Sequence, residues 1–123
     1  MTVKVIISES HTLGEEQRSI LDREFPGKWE TLQVPASGWS LEEMQTVAGR
    51  HFRNGDIAVF VSPVPALLSR LAFSAGAWSE SSNNPDSIFC GKVLVFHNDN
   101  REAKELPNGK IVHTVASTGW QLV

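Results

Sequence analysis

Five consecutive apolar residues, Ile57–Val61, end abruptly at Ser62-Pro63-Val64-Pro65, and a different spacing takes over. Leu67, Leu68, Leu71, Ala72 and Ala75 recur at intervals of three and four, which marks one face of a helix. The first run reads as a buried parallel strand and the second as a helix from about Pro65 to Trp78. Proline in the first helical turn removes an N–H that would lack a partner anyway. Two prolines therefore stiffen the strand-to-helix turn without harming the helix.

The same alternation occurs twice upstream. Val3–Ile7 is β-branched and reads as a first strand; Ser8-Glu9-Ser10-His11 is a polar loop. Thr12 with Glu15 forms a capping-box pattern that predicts the start of the first helix, whose apolar face carries Leu13, Gln17, Ile20, Leu21 and Phe25. Pro26-Gly27 stops it. Trp29–Val34 predicts the second strand. Ser40 with Glu43 repeats the capping box, and Leu41, Met44, Val47, Ala48 and Phe52 form the second helical stripe. Asn54-Gly55-Asp56 turns the chain into the third strand.

Beyond the third helix, Ser79–Ser87 is small and polar and reads as a flexible loop. Lys92–Phe96 predicts a fourth strand, and His97–Asn100 a polar break. Glu102–Leu106 and Ile111–Val115 flank Pro107-Asn108-Gly109-Lys110, where Asn-Gly predicts a hairpin turn. Trp120–Val123 reads as a docked edge segment. The order β-α-β-α-β-α-β-β-β predicts an α/β fold: a compact Rossmann-like three-layer sandwich over residues 1–123, mostly parallel, with a C-terminal β-hairpin that extends or covers a sheet edge. The first strand is expected to be central and beside the third, with Leu67, Leu68, Leu71, Ile6, Val59 and Leu94 in one core.

Composition narrows the functional classes. Of 123 residues, 41% are hydrophobic, enough for a core without metal or disulfide staples. The formal net charge of −3 argues against a sequence-independent grip on duplex nucleic acid. The single cysteine, Cys90, excludes an intrachain disulfide and fits a reducing compartment; it reads as a small apolar residue just before a strand. The apolar run after Lys4 is too short for a signal peptide, and no stretch approaches the roughly 20 apolar residues of a membrane-spanning helix. The expected location is cytoplasmic, with no membrane partner.

In open α/β sheets ligands bind at the carboxyl ends of the strands. Three loops there carry candidate chemistry. Ser8, Ser10 and Thr12 offer hydroxyls at a helix start, although Glu9 would oppose a phosphate, and the alternative is that Thr12 merely caps its helix. Ser62 and Pro63 form a rigid shelf or simply a tight turn. His97, Asn98 and Asn100, with Arg101, could contact a base or phosphate or form an ordinary Asx-rich turn. No G-x-G-x-x-G or G-x-x-x-x-G-K-[ST] is present, which disfavours the usual dinucleotide and triphosphate cradles. His11, His51, His97 and His113 show no metal-ligand spacing, so neither a metal nor another cofactor is expected. His11 and His97 are the acid–base candidates, His11 first. His51 is explained by a helix C-terminus and His113 by a structural place in a strand. Trp39, Trp78 and Trp120 suit core packing or the stacking of a base.

The Ser8–Thr12 loop followed by Glu15-Glu16-Gln17, the Ser62-Pro63-Val64-Pro65 turn before an Ala/Leu-rich helix, and a fourth strand leading into a hairpin together resemble the small Rossmann-like accessory proteins of type III CRISPR systems, relatives of the CARF domain. The likeness lies in organisation along the whole chain. It implies a homodimer that binds a small anionic nucleotide, cyclic oligoadenylate, in antiviral signalling. It also implies, where the ring is cut, a metal-independent ring nuclease with His11 assisting. The alternative is a non-catalytic homodimeric protein-interaction module built on the third helix and the tail. A small-metabolite enzyme would need a nucleophile–base pair that the sequence does not display.

Overall fold

The computed structural model describes residues 2–52, 55–77 and 90–123, of which 74–77 are described by backbone alone. Trp78 and the expected loop Ser79–Ser87 lie outside these. The described elements are β1 (Val3–Ser8), α1 (Glu15–Glu24), β2 (Trp29–Val34), α2 (Leu41–His51), β3 (Asp56–Phe60), α3 (Pro65–Ala77), β4 (Cys90–Asn98), β5 (Arg101–Glu105), β6 (Ile111–Val115) and β7 (Trp120–Leu122). Five strands form one sheet in the order β2-β1-β3-β4-β7. All neighbours are parallel except β4 and β7, which run antiparallel. β1 is therefore interior and beside β3, as the apolar pattern predicts.

The main sheet carries apolar residues on both faces, alternating along its interior strands with a period of two. Ile6, Ala58 and Phe60 belong to one buried cluster with Ala48, Phe52, Leu67 and Leu71, against which Val93 and Val95 pack. Val3, Val5, Ile7, Ile57 and Val59 belong to a second with Leu13 and Leu21, against which Leu94, Phe96 and Leu122 pack. The first cluster draws on α2 and α3, the second on α1. The expectation of one core is corrected here: Val59 and Leu94 are separated by the sheet from Ile6, Leu67 and Leu71. Leu68 is half-buried rather than buried.

Two expectations shift in detail. The N-cap of α1 is Gly14, not Thr12. The Gln17 side chain accepts the Gly14 N–H at 2.9 Å, closing the helix start that the Thr12–Glu15 spacing suggests two residues earlier. Ser40 does cap α2, accepting from the Glu43 N–H at 3.1 Å. The hairpin β5–β6 does not extend the main sheet but forms a two-stranded sheet of its own. The outer edge of β4 is instead taken by β7, where Phe96 meets Trp120 edge-on with ring centroids 6.1 Å apart.

The β3–β4 pairing contains a register shift between Asp56 and Ile57. Gly91 sits beside it: a Cβ there would come within 2.5 Å of the Gly55 carbonyl oxygen, so only glycine lets the two backbones approach.

His51, at the C-terminal turn of α2, is half-buried. A helix C-terminus favours the charged imidazole. Burial outweighs this and pushes the His51 pKa down, reinforced by Lys4 and Arg50 and opposed by Glu30 and Asp56. The unfolded chain therefore binds the proton more tightly than the folded one. Stability is fully present above the ordinary histidine pKa and falls as pH drops through it toward the lower folded value. Between about pH 7.5 and about pH 5 the melting temperature of the wild type is expected to fall further than that of His51→Gln. Parallel pH profiles for the two proteins would remove His51 as the cause. On the neighbouring strands Lys4 and Glu30 form an ion pair, whose hydrogen bond holds the exposed Glu30 carboxyl below its ordinary pKa.

Candidate functional site

Because β1, β3 and β4 are parallel, their carboxyl ends open on one edge of the sheet. The chain leaving β3 stays on β1: the Val61 and Ser62 N–H groups both donate to the Ile6 carbonyl, at 2.9 and 3.2 Å. This seats Ser62, 5% exposed, against the end of β1. Its Oγ accepts the Ser8 N–H at 2.8 Å and stands 3.1 Å from His11 Nδ1.

The Ser8–His11 loop is closed by its own turn, with the His11 N–H donating to the Ser8 carbonyl at 2.9 Å. Ser8 Oγ accepts the Ser10 N–H at 3.3 Å and lies 2.9 Å from Ser10 Oγ. The His11 ring is exposed yet anchored at Nδ1, and its Nε2 has no hydrogen-bond partner among the described residues. A fixed imidazole with one open nitrogen can donate to, or take a proton from, a bound group.

Glu9, the residue set to oppose a phosphate, is turned aside. Its carboxylate accepts the Ala36 N–H at 2.7 Å, tying the loop to the chain beyond β2. The two helix N-termini differ in charge. The first turn of α1 carries Glu15 and Glu16, which already complement its dipole, whereas the first turn of α3 carries no acid. Pro63, exposed, leads into this uncompensated end.

The third loop is built differently. His97 and Asn98 are not a polar break but the last residues of β4, paired with Gln121 and Trp120 of β7. Asn98 is buried and fully engaged: its Nδ2 donates to the Ala116 and Thr118 carbonyls at 2.9 and 3.1 Å, and its Oδ1 accepts the Asn100 N–H at 2.7 Å. The Arg101 guanidinium donates to the Asn98 and Asn100 carbonyls at 2.7 and 2.9 Å. His97 Nε2 lies 2.9 Å from Asp99 Oδ1. Among the described residues no hydrogen bond joins this group to the Ser8–Ser62–His11 group.

Thr12 lines an open cavity of about 570 Å³ between the start of α1 and residues 115–118. One wall of it is Glu16, noted in the sequence only within the run Glu15-Glu16-Gln17, whose carboxylate accepts the Gly119 and Trp120 N–H groups at 3.0 and 2.8 Å. Its spacing from Gly14 resembles an ordinary acidic first turn, so no local signal marks this long-range role.

Cys90 opens β4 and is fully buried, its sulfur 3.5 Å from the Asp56 carbonyl and 3.4 Å from that of Lys92. Burial pushes its thiol pKa up, away from the reactive thiolate. Among the described residues no three His, Cys, Asp or Glu side chains converge as metal ligands would, and no helix is long and apolar enough to cross a membrane. Compared with known protein families, with curated proteins and with solved structures, the chain finds no match.

Proposed function

We infer that the protein binds a small anionic ribonucleotide at the edge formed by Ser8–Thr12 and Ser62–Pro65, with cyclic oligoadenylate as the ligand and His11 as the acid–base group. The observation that carries this reading is the exposed His11 imidazole, pinned at Nδ1 by the buried Ser62 hydroxyl at the ends of β1 and β3. The fold belongs to the same reading: apolar clusters on both faces of a mostly parallel sheet support a compact Rossmann-like three-layer sandwich.

The acid-free start of α3 supplies backbone N–H groups to a phosphate beside Ser10 and His11. Two copies around a two-fold axis would double these contacts, which lets an acidic protein hold a polyanion of matching symmetry. His97, Asn98 and Asn100 would frame the far side, with Asn98 holding the loop shape rather than donating outward.

Cleavage of an RNA-type ring at this site needs only in-line geometry and proton transfer. A ribose 2′-oxygen attacks the adjacent phosphorus, the bond from phosphorus to the 5′-oxygen breaks, and a 2′,3′-cyclic phosphate and a 5′-hydroxyl result. His11 Nε2 exchanges a proton with one of these oxygens. Ser62 positions the ring.

Calorimetry with cyclic tetra- and hexa-adenylate is expected to show heat of binding, and chromatography of the incubated ligand a linear product. No heat with either ring would remove the ribonucleotide reading; heat with an intact ring would leave a sensor. A second reading, a non-catalytic interaction module, draws on one observation. Leu41 of α2 and Phe73 of α3, 74% and 78% exposed, border a groove of about 550 Å³ with Met44 and Arg70.

A further inference from the structure

We propose that β6 pairs with β6 of a second copy of this chain, joining the two hairpins into one four-stranded antiparallel sheet, β5-β6-β6-β5. The proposal rests on the hairpin alone and is independent of the ligand reading.

Among the described strands, β6 pairs only with β5. A two-stranded hairpin in water is marginal, whereas three or more strands with an apolar face hold together. This one stands apart from the main sheet, with Ile111 66% and Val115 48% exposed. Its two edges are unlike. β5 reads Arg-Glu-Ala-Lys-Glu, and charges of this kind guard an edge against pairing. β6 reads Ile-Val-His-Thr-Val, four β-branched residues with no formal charge, proline or glycine. The other sheet edges are protected or short. β2 carries Glu30 between Pro26 and Pro35, and β7 has only three residues.

The occupant follows from the pattern of β6, which is self-complementary about its centre. A two-fold axis at His113 sets Ile111 against Val115 of the partner and Val112 against Thr114 of the partner. His113 then faces its own copy. The known β5–β6 register extends each row. One row reads Arg101, Val115, then the partner's Ile111 and the partner's Glu105. The next on the opposite face reads Glu102, Thr114, then the partner's Val112 and the partner's Lys104. Each of these rows places an acid at one end and a base at the other, with β-branched residues between them. Those ends lie about 14 Å apart, three strand spacings. That exceeds the screening length of roughly 8–10 Å in physiological salt, so the end charges are compatible with the pairing but add little, and the β-branched pairs and backbone bonds hold the copies.

Position 113 tests the axis, because His113 is exposed and its replacement leaves the monomer's packing intact. Wild type is expected to sediment as a dimer. His113→Lys and His113→Glu each place like charges directly opposite one another, and each should weaken association at least about tenfold, with the melting curve of the monomer unchanged. Mixing the two variants in equal amounts should restore the dimer. In a third variant, His113→Cys, mild oxidation should give a covalent dimer, while Glu102→Cys, on the outer strand, should not. A monomeric wild type, a dimer indifferent to H113K, or variants that fail to recombine would each overturn the proposal.

Discussion

Phe52→Ala is expected to destabilise the protein by about 3–5 kcal/mol, among the largest losses a single truncation can cause here. Phe52 caps α2, is fully buried, and fills the cluster between α2, α3 and the sheet with Ile6, Phe60, Leu67 and Leu71. The cost combines lost transfer free energy with a cavity whose walls, two helices and two interior strands, can close only in part. For a domain of this size the melting temperature should fall on the order of 10–20 °C. Phe73→Ala makes the same chemical change at a residue 78% exposed and should shift stability by no more than about 0.5 kcal/mol. Chemical denaturation of the two variants side by side checks the assignment. Similar midpoints would mean that Phe52 is not the core residue its position implies.

His11→Ala is expected to slow ring cleavage by about 10²–10⁴-fold, the usual contribution of a positioned proton-transfer group. Binding heat should persist, because the start of α3 and the serine hydroxyls remain. Ser62→Ala should act more weakly. It removes the anchor on Nδ1 and the acceptor of the Ser8 N–H but leaves the imidazole in place. One hydrogen bond of about 1 kcal/mol corresponds to roughly a fivefold loss. Single-turnover rates and calorimetry on both variants separate the roles. Cleavage by His11→Ala at the wild-type rate would strip His11 of its part in the chemistry. A larger loss for Ser62→Ala than for His11→Ala would make Ser62 the group that meets the ligand.

Local patterns announced most of the fold. A β-branched run gave β1 and a continuous apolar run β3, Ser40-x-x-Glu43 gave the start of α2, and Asn108-Gly109 gave the hairpin turn, where Gly109 has a φ of +83°. The start of α1 went astray because two capping patterns overlap. Thr12–Glu15 is the more familiar, but Leu13 must turn inward, and Gly14–Gln17 permits that.

The candidate site divides in the same way. The meeting of Ser8 with Ser62 follows from β1 lying beside β3, which alternation of strands and helices implies. The pinning of His11 follows from where Ser62 sits. The capture of Asn98 by the Ala116 and Thr118 carbonyls, 18 and 20 residues away, depends on how the chain returns after the hairpin. No local rule carries that information. The division of the core was legible too: odd and even positions of a strand cannot share a face, which separates Ile6 from Val59 once the pairing Ile6 with Phe60 is fixed.

The close approach of Gly91 to Gly55 separates two properties that are usually read together. Gly91 is exposed, and an exposed residue is ordinarily free to vary. Yet any side chain at 91 would push the β4 backbone off the Gly55 carbonyl at the point where β3 and β4 first come into register. In a population of functional variants, position 91 would look as invariant as a catalytic residue. Invariance there would record a meeting of two main chains, and a search for active sites by conservation alone would be drawn to the wrong end of the sheet.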